Sequence, residues 1–315
     1  MEKLRIVFMG TPDFAVGILD IIYQNNYEIV GVITAPDKPA GRGQKVSFSA
    51  VKEYALAKNL HLLQPTNLKA TDFLDELRQL NANLQVVVAF RMLPEVVWKM
   101  PQLGTFNLHA SLLPEYRGAA PINWAIINGE TKTGVTTFFI DDKIDTGAII
   151  LSKETAIGTN ESAGELHDRL MQLGSAAVIE TLELIKTEKV TTTLQNSATE
   201  EKTAYKLNKE NCKIDWTQPG NTIFNLIRGL SPYPTAWSYI KDSTAEWNVK
   251  FYEATFEAIT HSKKAGTIST TKKVFIIYTT DGVLNVTSLQ FPGKKKMQAH
   301  ELLNGISFSE NAVAY

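Results

Sequence analysis

Leu4-Arg5-Ile6-Val7-Phe8-Met9-Gly10-Thr11-Pro12-Asp13-Phe14-Ala15 is the stretch on which the reading of this chain turns. An apolar run over 4–9, closed by Gly-Thr-Pro, has the length of a strand buried on both faces. It is too short for the core of a signal peptide. No run anywhere in the chain approaches the roughly 20 apolar residues needed to cross a bilayer. A cytoplasmic protein with no membrane partner is therefore expected.

The pattern that begins there repeats. Strand-like runs follow at Tyr27–Thr34, Leu84–Phe90, Gly104–His109, Val135–Ile140 and Ala148–Leu151. Helical patterns lie between them at Phe14–Gln24, Ser49–Asn59, Thr71–Leu80 and Pro121–Asn128. Ser49 and Thr71 are placed to cap two of these helices, and Pro121 with Gly129 marks the start and stop of another. Alternation of this kind predicts an α/β fold, a doubly wound and mostly parallel sheet with helices on both faces. Ligands of such sheets bind beyond the carboxyl ends of the strands. A long helix over Ser162–Lys186 closes this part.

Residues 187–204 are rich in Thr, Ser, Asn and charge, and read as a linker. Beyond them one short helix, Thr222–Arg228, precedes strand patterns at Ala236–Ile240, Val249–Ile259, Val274–Thr279 and Val283–Ser288. Asp281-Gly282 is a hairpin turn between the last two. A small β-barrel of the oligonucleotide-binding type fits, and a β-sandwich fits nearly as well. The expected domains are thus 1–190 and 205–315.

The whole chain of 315 residues carries a net charge of −1 and a single cysteine, Cys212, so internal disulfides and a cysteine-rich metal site are excluded. Residues 200–315 hold 14 Lys or Arg against 11 Asp or Glu, a net of +3, whereas the remainder holds 18 against 22, a net of −4. A mildly basic second half permits an anionic partner.

Three stretches carry chemistry. In Asn107-Leu108-His109, alternation along a strand points Asn107 and His109 the same way and Leu108 into the core. An amide beside an imidazole at a carboxyl strand end can hold an oxygen that becomes negative; a polar pair bonded to a nearby loop has the same spacing. Ser111-Leu112-Leu113-Pro114-Glu115-Tyr116-Arg117-Gly118-Ala119-Ala120-Pro121 is a stiffened loop running into a helix amino terminus. Asp141-Asp142-Lys143-Ile144-Asp145-Thr146-Gly147 rises at the same edge, and one of its carboxylates can orient the imidazole. Gly10-Thr11-Pro12 sits at the dinucleotide turn, but no G-x-G-x-x-G follows, which argues against a nicotinamide cofactor. His61, His167, His261 and His300 have no partners at metal-ligand spacing, so no metal is expected. Trp98, Trp124 and Trp237 read most simply as core residues.

Taken together, these three motifs resemble the signature of the folate-dependent formyltransferases, a family acting on sugar amines, glycinamide ribonucleotide and methionyl-tRNA. Phe8–Ala15, Pro36–Lys45, Ile214-Asp215-Trp216 with Ile227–Pro234, and Gly293–Met297 make the chain most similar to the tRNA-directed branch, nearly end to end. The resemblance implies a transferase using 10-formyltetrahydrofolate as co-substrate and methionyl-initiator tRNA as acceptor, in translation initiation. It implies catalytic roles for Asn107, His109 and Asp145. A folate site is implied at Ser111, Leu112, Leu113, Pro114, Phe90, Arg91, Met92 and Asp141. tRNA contacts are implied for Lys38, Arg42 and Lys45 on one loop and for Lys294, Lys295 and Lys296 in the second domain. Arg91 stands where glycine is common in the family. A monomer is expected. The rival readings are a sugar-amine formyltransferase, against which the basic loop and tail argue, and a non-catalytic RNA-binding protein, which would not require the Asn107, His109 and Asp145 set.

Overall fold

Arg5–Gly10 forms the central strand, β1, of a seven-stranded sheet in the computed structural model, which describes residues 3–40, 45–196 and 202–315. The other strands are β2 (Glu28–Ile33), β3 (Leu62–Leu63), β4 (Leu84–Val88), β5 (Thr105–His109), β6 (Lys132–Phe139) and β7 (Ile149–Ala156). Their order across the sheet is β7-β6-β5-β4-β1-β2-β3. The β1–β2, β2–β3, β1–β4 and β4–β5 pairs are parallel, and β5–β6 is antiparallel. Chain order reverses between β1 and β4, as a doubly wound sheet requires.

The helices cover two faces. Val7, Met9 and Val87 pack with Phe73, Leu74 and Leu77 of α3 (Thr71–Gln79), which follows α1 (Asp13–Gln24) and α2 (Ala50–Ala57). The same cluster takes Val97 from α4 (Glu95–Trp98), a single turn the sequence pattern does not reveal. α5 (Pro121–Ile127) and α6 (Ala163–Lys186) follow. Leu108 points to the opposite face, towards α6. A Cβ at Gly174 of α6 would lie 2.8 Å from Leu108 Cδ2 and 3.5 Å from Ile18 Cδ1, so the approach of helix to strand depends on that missing methyl group. Ser49 caps α2, its Oγ accepting from Lys52 N at 3.1 Å. Thr71 caps nothing: the first turn of α3 begins one residue earlier, and Ala70 holds the cap position without a side-chain bond. The expected loop after β2 is instead a hairpin, Lys38–Ala40 paired antiparallel with Lys45–Ser47.

The chain divides into two compact units. One comprises Met1–Gly118, Gly134–Thr155 and His167–Thr203, the other Ala119–Thr133, Ala156–Leu166 and Ala204–Tyr315. In the second unit α7 (Gly220–Gly229) accompanies strands β8 (Ala236–Asp242), β9 (Ala245–Ala258), β10 (Ile268–Thr270), β11 (Phe275–Tyr278), β12 (Gly282–Gln290), β13 (Met297–Gln298) and β14 (Val313–Ala314). They run β10-β11-β12-β9-β8-β14, with β13 on β12. An antiparallel bridge from Thr267 to Val313 ties the first strand's approach to the last. The result is a nearly closed antiparallel barrel, not two stacked sheets. Thr279 N donates to Gly282 O at 2.9 Å across the expected Asp281-Gly282 turn.

Phe251, fully buried, meets Trp216 edge-to-face at 5.9 Å in the barrel core. Phe251→Ala is expected to lower stability by about 3–5 kcal/mol through lost transfer energy and the cavity left behind. Denaturant unfolding followed by tryptophan fluorescence measures it.

Candidate active site

The site grows from the last residues of β5. Leu108 faces α6, so the neighbouring positions, Asn107 and His109, share the opposite face. Asn107 is half-buried, and no described residue hydrogen-bonds its side-chain amide. His109 is 6% exposed. Its Nε2 lies 2.8 Å from Tyr116 O. A carbonyl can only accept, so Nε2 carries the hydrogen. The other ring nitrogen, Nδ1, faces Asp145 Oδ2 at 3.7 Å. That distance is beyond a hydrogen bond and within electrostatic reach, so each group keeps an edge for a third partner.

The loop after β5 is fastened from inside. Buried Ser111 donates from Oγ to Glu115 O at 2.6 Å. Thr136 of β6 donates from Oγ1 to Ser111 O at 2.7 Å and accepts from Leu113 N at 3.2 Å. Ser111, expected to line a ligand site, thus spends its hydroxyl on the loop itself. Tyr116 takes the left-handed region, φ 60°, and its N donates to Lys202 O at 2.6 Å. That turn aims the Tyr116 carbonyl back at the imidazole.

Of the three carboxylates between β6 and β7, the structure brings Asp145 to His109. Asp145 also sits in the left-handed region, φ 55°. Its Oδ2 accepts from Gly118 N at 3.0 Å, and its carbonyl accepts from Arg117 Nε at 3.0 Å and Gln195 Nε2 at 2.9 Å. Gln195 Nε2 donates again to Gly147 O at 2.8 Å, while its Oε1 accepts from Arg117 Nη2 at 2.7 Å. Gly147 must be glycine, because a Cβ there would lie 1.6 Å from Phe139 O. Asp141 fastens the loop, its Oδ1 accepting from Thr146 Oγ1 at 2.8 Å and Lys143 N at 3.1 Å.

Sequence reasoning missed Gln195 and Thr136. Gln195 lies in the segment expected to be a plain linker; there Thr193 exchanges two backbone hydrogen bonds with Ile149, at 2.8 and 2.9 Å, along the edge of β7. A lone glutamine in a polar stretch gives no periodic signal.

At the carboxyl end of β4, neighbouring β5, Ala89 has φ 46° and leads into Phe90, Arg91 and Met92. Arg91 lies 5.7 Å over the Phe90 ring and donates to Thr66 O at 3.0 Å and to Pro65 O. Met92 is 67% exposed. Lys38 and Lys45 stand at the base and mouth of the 38–47 hairpin, but their side chains, and Arg42 altogether, lie outside the described residues. At the hairpin's foot, hydrogen bonds from Lys52 (2.5 Å) and Gln64 (2.8 Å) hold the Asp37 carboxyl below the usual range. Lys294 and Lys295 are exposed, whereas Lys296 already engages Glu253 Oε1 at 2.9 Å and the Tyr252 ring at 4.9 Å. Among the described residues no group of His, Cys, Asp and Glu could hold a metal ion, and no helix is long and apolar enough to cross a membrane.

The formyl transferase family model matches residues 4–182, and the model of its C-terminal domain matches 206–307. The methionyl-tRNA formyltransferase of Flavobacterium johnsoniae is 68% identical over the full length of both chains. That of Bacteroides fragilis is 52% identical, covering 98% of this chain and 97% of its own. Among solved structures, a sugar 3N-formyltransferase with dTDP and 5-N-formyl-THF shares the fold, with a TM-score of 0.66 at 22% identity, covering 94% of this chain and all of its own.

Gln195→Leu keeps the volume and removes both the donor to the Asp145 and Gly147 carbonyls and the acceptor for Arg117. Stability is expected to fall by about 1–2 kcal/mol, since the site is half-buried and the freed groups are partly rehydrated. Thermal unfolding of the variant against the native chain checks this.

Proposed function

Given that the chain belongs to the methionyl-tRNA formyltransferase family, we propose that it transfers the formyl group of 10-formyltetrahydrofolate to the α-amino group of methionine on initiator tRNA. The observation that carries this reading is the Asn107 amide, without a hydrogen-bond partner among the described residues, beside a buried imidazole at the carboxyl end of β5 and a carboxylate pinned on the loop between β6 and β7. An amide with no partner among the described residues, next to His109, suits an acyl oxygen. The folate supplies an activated formyl group, held in this reading along Phe90, Arg91, Met92, Leu112, Leu113 and Pro114, with Ser111 and Asp141 keeping the two loops in shape.

Asn107 donates to the formyl oxygen as the amine adds to the formyl carbon and the carbonyl electron pair moves onto that oxygen. His109 presents positive charge to the same oxygen from its Nδ1 edge, 3.7 Å from Asp145 Oδ2. Asp145 accepts the proton that the amine sheds, and the imidazole–carboxylate pair returns a proton to the departing nitrogen. No covalent enzyme intermediate is needed. Residues 1–190 carry this chemistry, and residues 205–315 bind RNA, with Lys38, Arg42 and Lys45 as a strap along the phosphates. Lys294 and Lys295 add charge; Lys296, engaged by Glu253, adds less. The enzyme acts in the cytoplasm as a monomer.

Mixing the protein with 10-formyltetrahydrofolate and methionyl-initiator tRNA, and assaying formyl-methionine, tests the reading directly; an amino sugar nucleotide accepted in place of the tRNA would transfer the assignment to sugar amines. Asn107→Ala and His109→Ala are each expected to lose about two to three orders of magnitude in turnover with the fold intact. Near-native turnover in His109→Ala would sink the assignment. Arg42→Ala is expected to raise the Michaelis constant for tRNA much more than that for folate and to flatten its salt dependence by roughly one unit of slope. Steady-state kinetics with each substrate varied at two salt concentrations decides this.

A further inference from the structure

The segment expected to be a plain linker is built into the site it follows. Thr193 exchanges its two backbone hydrogen bonds with Ile149 on the edge of β7. Two residues on, half-buried Gln195 meets the loop between β6 and β7 with its amide. Nε2 donates to Asp145 O at 2.9 Å and to Gly147 O at 2.8 Å. Oε1 accepts from Arg117 Nε at 3.1 Å and from Nη2 at 2.7 Å. A guanidinium can only donate and a carbonyl can only accept, so the amide has one orientation that satisfies all four bonds. Farther along, Lys202 O accepts from Tyr116 N at 2.6 Å, and the Lys202 ammonium lies 5.9 Å from the Tyr116 ring centroid. Tyr116 supplies the carbonyl that takes His109 Nε2. One stretch of the first unit thus reaches the carboxylate's backbone through Gln195 and the imidazole's partner through Lys202.

The two carbonyls that share the Gln195 amide differ in how firmly they are held. Gly147 is the fixed one: its backbone is pressed against Phe139 O at the end of β6, and Phe139 N donates to Ala148 O at 3.0 Å. Asp145 is the loose one. It is a residue other than glycine at φ 55°, a conformation that persists only under constraint from outside. Ile144 before it is 61% exposed, so little packing holds the loop on that side. The carboxylate itself has Gly118 N at 3.0 Å and the imidazole at 3.7 Å, both on Oδ2. By bridging Asp145 O and Gly147 O, the Gln195 amide ties the strained residue to the rigid one.

Resting on the reading of the chain as a formyltransferase, we propose that Gln195 is a positioning residue for the transfer step and acts through Asp145. Its amide holds the backbone of residue 145 so that the carboxylate stays aligned with His109 and with the amine it deprotonates. Gln195 binds the carbonyl of Asp145, not the carboxylate, so its effect on the reaction is carried by geometry alone. Geometry is enough, because a reacting group misplaced by about 1 Å can lose about a hundredfold in rate.

The test is formylation by the full-length protein, with folate and methionyl-initiator tRNA varied in turn. Gln195→Glu keeps the shape and the acceptor for Arg117 but sets a second acceptor against the two carbonyls. It is expected to lower kcat about ten- to hundredfold. Both Michaelis constants should stay within about twofold, the mark of an interaction that counts only in the transition state. In an Asp145→Asn background the same change should cost less than about twofold, because a residue that acts through Asp145 has no base left to align. Thr181→Val breaks the buried hydroxyl pair with Thr137 and serves as the stability control, with a lowered Tm and native kcat. NMR of the imidazole nitrogens gives a readout that needs no substrate. The His109 Nδ1 signal, assigned by its loss in His109→Ala, should move in Gln195→Glu and stay in place in Thr181→Val. Native kcat in Gln195→Glu, a loss confined to the Michaelis constants, or a loss that multiplies with that of Asp145→Asn overturns the proposal. An equal loss of turnover in Thr181→Val, or an unmoved His109 signal in Gln195→Glu, overturns it too. A native protein that formylates no tRNA is instead the failure of the proposed reaction, and the ring signal then still decides whether Gln195 sets the Asp145–His109 geometry.

Discussion

A buried imidazole held 3.7 Å from a carboxylate is the constraint around which the first unit is built. Removing either group from water costs several kcal/mol, and the attraction between them offsets this only when the remaining hydrogen-bonding capacity is answered. Each remaining requirement is met by a specific backbone feature. Tyr116 turns left-handed so that its carbonyl reaches Nε2, and Asp145 turns left-handed so that its carboxylate meets Gly118 N. Arg117 and Gln195 then hold the Asp145 carbonyl from the side away from the ring. Left-handed backbone at a residue other than glycine is unfavourable on its own and persists where surrounding bonds over-determine it. The loops are shaped by the pair they present.

That dependence explains which parts of the site were legible in the sequence. Periodicity located β1, β2, β4 and β5 within two residues but began β6 three residues late, ended β7 five residues early and missed the short β3 and β10. Alternation put Asn107 and His109 on one face without any knowledge of the fold. Spacing alone could not separate Asp141, Asp142 and Asp145, because three carboxylates in seven residues differ only in where the turn sends them. The resemblance to a family made that choice; in the structure Asp145 Oδ2 lies 3.7 Å from the imidazole Nδ1, while Asp141 ties the loop. Gln195 was invisible because its contribution is four side-chain bonds to groups from 48 to 78 residues away. Thr71 misled for a related reason. A good capping residue is only a local preference, and the helix start was fixed by how Phe73, Leu74 and Leu77 meet the sheet.

Arg91 shows how a departure from a family pattern can be accommodated without strain. A glycine position invites the expectation of backbone that other residues avoid. In this chain the left-handed residue of the segment is Ala89, so an arginine two positions on meets no such penalty. Its guanidinium turns to the Pro65 and Thr66 carbonyls and lies over Phe90. The substitution therefore joins the 65–66 segment to the end of β4, stiffening the rim of the strand ends by two charge-assisted bonds.

Charge is distributed on the same local principle. With a net of −1 the molecule generates no long-range attraction for a polyanion, and at physiological salt exposed charges are screened beyond about 8 Å. Affinity for a phosphate backbone must then come from ammonium groups close enough to displace counterions one by one. Composition could show only that residues 200–315 lean basic by three charges. The fold decides what those charges are worth: Lys296 is paired with Glu253 at the surface, whereas Lys213 is set against three aromatic rings with the Asp215 carboxylate within electrostatic reach. Two lysines that count equally in a sequence therefore differ in what they can offer an anionic partner, and the difference is made by side chains that alternate outward along one strand.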